Sequence, residues 1–129
     1  MRFYKRKLLN ALIDEGWELV EVNEDNRHWW CDEHWVIRSV RENWGLEFMI
    51  FFLVDPHGDS VRKKGQGIWQ IAATVAFPEN WIEAGRGIAT ISMSKGKFDS
   101  KLKDFISFLI EYRRNASDHR PPAPYASQR

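Results

Sequence analysis

The sequence has one cysteine, no apolar run long enough for a membrane span and almost no net charge. A single cysteine, Cys31, cannot form an intramolecular disulfide, which favours a reducing compartment. The most apolar stretch, residues 45–54, is too short to cross a bilayer. A net charge of +1 argues against bulk electrostatic binding to nucleic acid or to an acidic membrane. The first residues are charged and lack the apolar centre of a signal peptide, so we expect a cytoplasmic protein.

Residues 45–54 are the stretch around which the rest of the chain is organised. After Gly45 every position except Glu47 is apolar. At the two-residue period of a strand, the side chains divide into two apolar sets. One set is Leu46, Phe48, Ile50, Phe52 and Val54, and the other is Met49, Phe51 and Leu53. The pattern predicts a central strand covered on both faces.

Hydrophobic periodicity and turn residues place the other elements around this strand. The predicted helices cover residues 3–15 and about 99–114, and the other predicted strands cover 17–22, 34–41, 68–77 and 88–94. Residues 27–34 form a short strand or an ordered loop. The fold class is therefore α+β: a helix, an antiparallel meander of four to five strands, then a helix, with both helices on one face. We expect one domain, 1–114, and a proline-rich disordered or extended tail, 115–129.

Two features of this fold need an explanation. The second apolar face of the sheet requires a cover, and the candidates are residues 27–35, a second copy of the chain or a ligand. The first helix has cations at its start, including Lys5 and Lys7, and the acids Asp14 and Glu15 at its end. This order opposes the helix dipole, so either tertiary packing overrides it or the cations form a patch for an acidic partner.

A metal site is the first chemical possibility. His28, Cys31 and His34 stand three residues apart and suit zinc, with His57 as a further candidate ligand. In an extended chain, residues three apart lie on opposite faces, so a shared metal is awkward and packed or exposed side chains are favoured. The same cysteine and histidines could form a nucleophile and base, but no family-specific motif surrounds them. We expect no cofactor.

Aromatic and basic residues are the second possibility. Tryptophan and arginine are favoured where proteins bind proteins, and tryptophan also stacks on single-stranded nucleic acid. The chain has seven tryptophans, and a basic segment follows the central strand. The candidate binding residues are Trp29, Trp30, Trp44, Trp69, Trp81, Arg62, Lys63 and Lys64. Each tryptophan alone is more simply explained by core packing.

The sequence thus favours a non-catalytic recognition module, either a homodimer or the binder of a protein partner. We expect it to use an aromatic-rich sheet face and the loops 27–34, 55–67 and 78–87. A metal- or thiol-dependent enzyme centred on His28, Cys31 and His34 is one alternative. The other alternative, single-stranded nucleic-acid binding, conflicts with the low net charge.

Overall fold

A computed structural model describes residues 3–24, 29–55, 67–93 and 96–118. The described elements run in the order helix, four strands, short helix, strand, helix. They are α1 (Phe3–Asp14), β1 (Trp17–Asn23), β2 (Cys31–Ser39), β3 (Glu47–Val54), β4 (Ile68–Thr74), α2 (Trp81–Ala84), β5 (Ala89–Ser92) and α3 (Phe98–Asp118). The α+β class predicted from the sequence is confirmed.

The five strands form one antiparallel sheet in the order β1-β2-β3-β4-β5, which is the predicted meander. β3 is the central strand, and its side chains divide as the period of two requires. Phe48, Ile50 and Phe52 belong to the main core, whereas Phe51 and Leu53 belong to a second core on the other side. The strand is therefore buried on both faces.

Both long helices cover the same face of the sheet, here called the helix face. Leu8 and Leu12 of α1 and Phe105 and Leu109 of α3 are buried in one core with the side chains of the strands. Trp35 of β2 is among them. Together these contacts explain why the two helices show apolar stripes at helical spacing.

Charges from other elements compensate the unfavourable charge order of α1. At its C-terminal end, Arg113 of α3 donates to the carbonyl oxygens of Glu15 and Gly16, at 2.8 and 3.3 Å. Arg41 donates to the carbonyl oxygen of Asp14 at 3.1 Å. These cations supply the positive charge that the last turn of α1 lacks. Tertiary packing thus overrides the local charge order.

Several boundaries differ from the sequence expectations. β2 begins at Cys31, so part of the segment 27–34, expected as a strand or a loop, is strand. β4 ends at Thr74 and not at residue 77. α3 continues to Asp118, and the remainder of the predicted tail lies outside the described residues. A register shift between Leu19 and Glu21 breaks the regular alternation expected for β1. In the described part of the chain, no helix is long and apolar enough to cross a membrane.

Candidate functional site

The face of the sheet opposite the helices carries a cluster of aromatic rings. The His34 ring stacks on the Phe51 ring, with centroids 4.9 Å apart. The Trp30 ring lies 6.1 Å from the Phe51 ring. Phe77 meets both Phe51 and His34 edge-on, at 5.3 and 5.6 Å. We call Trp30, His34, Phe51 and Phe77 the aromatic cluster. Its edge-to-face and stacked contacts are the favourable geometries for such rings.

The segment between β4 and β5, residues 75–88, lies across this face and is here called the crossover. It contains the short helix α2, whose N-cap Asn80 accepts a hydrogen bond from the Glu83 backbone N–H at 2.9 Å. Ala84 of α2 is fully buried against the second core. A Cβ on Gly87 would lie 2.2 Å from the carbonyl oxygen of Ala73, so the backbone approaches the sheet too closely for a side chain there.

The chain therefore covers much of its own second apolar face. Trp30 and Ala84 are buried there, and Trp69 and Trp81 pack against the same core with their rings 6.0 Å apart. Of the three covers considered from the sequence, the chain itself supplies this one. It does so partly with Trp30, which belongs to the candidate segment 27–35, and partly with the crossover, for which the sequence predicted a connection but no helix.

The structure brings together only some of the predicted binding residues. Trp30, Trp69 and Trp81 share the second core, and the neighbouring Trp29 is 62% exposed. Trp44 is 70% exposed in the turn between β2 and β3, at the opposite end of these strands from Trp30. The predicted basic segment Arg62, Lys63 and Lys64 lies outside the described residues. The five tryptophans predicted to bind are thus divided between the second core and two separate surfaces.

The candidate metal and thiol residues lie in packed surroundings where they are described. Cys31 is buried, and its Sγ donates to the carbonyl oxygen of Glu33 at 3.2 Å. His34 is held between two phenylalanine rings. Among the described residues, no group of three or more His, Cys, Asp or Glu side chains could hold a metal ion. His28 and His57 lie outside the described part of the chain.

A buried ion cluster joins α1 to β2, and sequence reasoning missed it. Lys5 Nζ lies 3.3 Å from Asp32 Oδ2, also pairs with Glu33 Oε1, and sits 4.6 Å from the centre of the Phe52 ring. Glu33 Oε2 accepts a hydrogen bond from Trp35 Nε1 at 3.3 Å. Lys5 is separated from Leu8 and Leu12 by three and seven residues, so helical spacing alone could have placed it on the buried stripe.

A shallow cleft opens where the starts of α1 and α3 meet the end of β5. It is lined by Phe3, Tyr4, Lys7, Met93 and Phe98, among others, and its volume is ≈ 200 Å³. Pockets that bind small molecules usually measure about 300–1,000 Å³. The cleft is smaller than this range.

The crossover exposes three apolar side chains. Val75 is 60% exposed, Phe77 49% and Ile82 50%. We call these three residues the crossover patch. From the sequence, Phe77 was expected at the end of a strand, and Ile82 belongs to the predicted binding loop 78–87. Pro78 was the signal in the sequence that the strand ends near Phe77, because a proline cannot donate a hydrogen bond to the neighbouring strand.

His34 makes the stability of the aromatic cluster dependent on pH. Burial lowers the pKa of His34 below its ordinary value, and the nearby charge of Glu21 opposes this effect. The unfolded chain therefore binds the proton more readily than the folded chain. We expect the free energy of unfolding to fall as the pH drops through about 6.5, the ordinary pKa of histidine, and to level off below the lowered pKa of the folded state.

Denaturant unfolding at about pH 7.5 and pH 5.5 measures this effect. The His34→Gln variant has no group titrating at this position. Its loss of stability between the two pH values should be smaller than that of the wild-type chain. Equal losses in the two proteins would show that His34 binds its proton equally well in the folded and unfolded states.

Together, the fold and the site define a small α+β protein whose five-stranded meander carries two helices on one face and a crossover on the other. Comparison with known proteins adds no relative: no protein family, no curated protein and no solved structure matches this chain.

Proposed function

We propose that this protein is a non-catalytic interaction module that forms a homodimer through the crossover patch. The observation that carries the proposal is the exposure of Val75, Phe77 and Ile82 within one eight-residue stretch of the segment that covers the second core. Scattered apolar side chains are normal on a protein surface, but several on one element mark a contact surface.

The support beneath the patch favours recognition. Phe77 is fixed by edge-on contacts to Phe51 and His34, and Gly87 holds the end of the crossover against β4. A preorganised aromatic side chain loses little conformational entropy on binding, which is why such residues dominate binding energy. A partner would therefore meet an apolar surface that is already in place.

A second copy of the chain is the occupant that the charge favours. The net charge is only +1, so two copies repel each other weakly. A twofold contact would place one patch against the same patch of the other copy, which is the commonest symmetry of soluble oligomers. A protein of different sequence that covers the same patch is the alternative.

Sedimentation velocity over a dilution series tests the proposal. The wild-type chain should show a monomer–dimer equilibrium, and the double variant Phe77→Ser/Ile82→Ser should remain monomeric at the concentrations where the wild type dimerises. Removing large apolar side chains from the centre of an interface costs more than about 2 kcal/mol each at hot spots, so a shift of at least tenfold in dissociation constant is expected.

The matched control is Phe108→Ser, because Phe108 of α3 is also exposed, at 53%, and lies on an element of the helix face. This variant should dimerise like the wild type. A wild-type chain that stays monomeric at every concentration would reject the homodimer. A dimer that Phe108→Ser disrupts and the double variant does not would place the interface elsewhere.

A further inference from the structure

The outer edge of β1 has no partner strand in the part of the chain that the structure describes. β1 (Trp17–Asn23) is the first strand in the sheet order, and its residues 17–22 pair with β2 on one side. An edge strand presents backbone N–H and C=O groups that can pair with another chain. Natural proteins protect such edges with charges, bulges or covers, and β1 carries a bulge and two glutamates.

The two sides of this edge differ in chemistry. The register with β2 places Glu18 and Glu21 opposite Arg38 and Val36, on the face away from the helices. Leu19 and Val22 lie opposite Ile37 and Trp35, whose side chains belong to the helix face. Glu21 and Val22 are exposed, and Glu18 is half-buried where it accepts a hydrogen bond from Arg38 Nε at 2.7 Å.

These glutamates disfavour a second copy of β1 as the occupant. If two copies of β1 paired along their free edges with their faces aligned, Glu18 and Glu21 of one copy would lie near the same acids of the other. Like charges on neighbouring strands are destabilising. Glu18 is already paired with Arg38, so the exposed carboxylate of Glu21 is the charge that attracts a strand presenting lysine or arginine beside it.

We infer that the free edge of β1 binds an extended basic segment of another protein, which adds to the sheet as a sixth strand. A lysine or arginine side chain of this segment lies beside Glu21, and apolar side chains lie beside Leu19 and Val22. The main chain supplies the hydrogen bonds and the alternating side chains supply specificity, as in other cases of strand addition. This surface is separate from the crossover patch and does not depend on the homodimer.

A fluorescently labelled peptide of alternating lysine and valine, acetyl-Lys-Val-Lys-Val-Lys-Val-Lys-amide, is the probe. Fluorescence anisotropy with the full chain should show saturable binding, and the peptide with glutamate in place of lysine should bind at least tenfold more weakly. Glu21→Lys should weaken binding of the basic peptide about tenfold, because one favourable cross-strand charge pair becomes a repulsive one. The control Glu111→Lys, an equal charge change at an exposed position of α3, should bind like the wild type.

Peptide N-methylation separates strand addition from simple charge attraction. Successive amides of a strand point to opposite edges, so methylating the valine amides and methylating the lysine amides block different edges. One of the two methylated peptides should bind like the parent peptide, and the other should lose at least tenfold in affinity. These peptides need no protein variant, so the test does not depend on the folding of Glu21→Lys.

Three results would overturn the inference: no saturable binding of the basic peptide, equal binding of both methylated peptides, or equal effects of Glu21→Lys and Glu111→Lys. The Phe77→Ser/Ile82→Ser variant should bind the peptide like the wild type. Failure of the homodimer would therefore leave this result unaffected, and failure of peptide binding would leave the homodimer unaffected.

Discussion

Replacing Lys5 with methionine should lower the free energy of unfolding by about 3–5 kcal/mol. Methionine retains most of the apolar stem but leaves Asp32 and Glu33 without the ammonium group that faces them. Both acids are buried, and a buried charge that loses its partner is costly to keep out of water. The loss should appear in urea unfolding as a lower midpoint with an unchanged slope.

Lys7→Met is the matched control for this prediction. Lys7 lies on the same helix and pairs with Asp99 at 2.8 Å, but both side chains are solvent-exposed. An exposed pair contributes about 0–1 kcal/mol, so this variant should unfold almost like the wild type. If Lys5→Met cost no more than Lys7→Met, the buried ion cluster would contribute nothing beyond an ordinary surface pair.

Removing the guanidinium group of Arg113 should lower the free energy of unfolding by about 2–4 kcal/mol. This buried group lies 4.5 Å from the centre of the Trp17 ring and donates to the carbonyl oxygens of Glu15 and Gly16. Arg113→Met would leave those helix-end carbonyls without this donor. Thermal and denaturant unfolding of the purified variant measure the loss.

Two further substitutions show whether the loss comes from the fork shape of Arg113. Arg113→Lys should recover only part of the stability, because one ammonium group cannot donate along the several directions that the guanidinium group uses. Arg114→Ala changes an exposed neighbour on the same turn and should shift stability by less than about 0.5 kcal/mol. Full recovery in Arg113→Lys would show that charge alone matters at this position.

The sequence predicted the central part of the fold because its signal is local. In β3, apolar residues on both sides of a period-two pattern require a strand covered on both faces, whatever the covers are. The helical stripes of α1 and α3 are equally local. These local patterns, joined by short connections, predict the α+β class and the antiparallel meander. They also predict that both helices lie on one face of the sheet.

The parts that the sequence did not predict depend on contacts between distant segments. The bulge in β1 is defined by its register with β2 and has no marker of its own. α2 is only four residues long, too short for a helical period to appear, and it is placed by burial of Ala84 against the sheet. Arg113 of α3 donates to the end of α1, a contact between residues 98 positions apart that no local pattern marks.

The candidate site was less predictable than the fold for the same reason. Tryptophan is equally suited to a core and to a surface, and only the fold separates the buried Trp30 from the exposed Trp44. The crossover patch consists of residues with no special chemistry, and their exposure results from the turn of the chain after Thr74. Exposure is a property of the assembled molecule.

Hydrogen–deuterium exchange at low and at high protein concentration tests the central claim most directly. If the crossover patch is the dimer interface, backbone amides between residues 75 and 86 should exchange more slowly at high concentration, while those of α3 remain unchanged. The Phe77→Ser/Ile82→Ser variant should show no such dependence on concentration. Equal exchange of the crossover at both concentrations, or slowing confined to another element, would contradict the account.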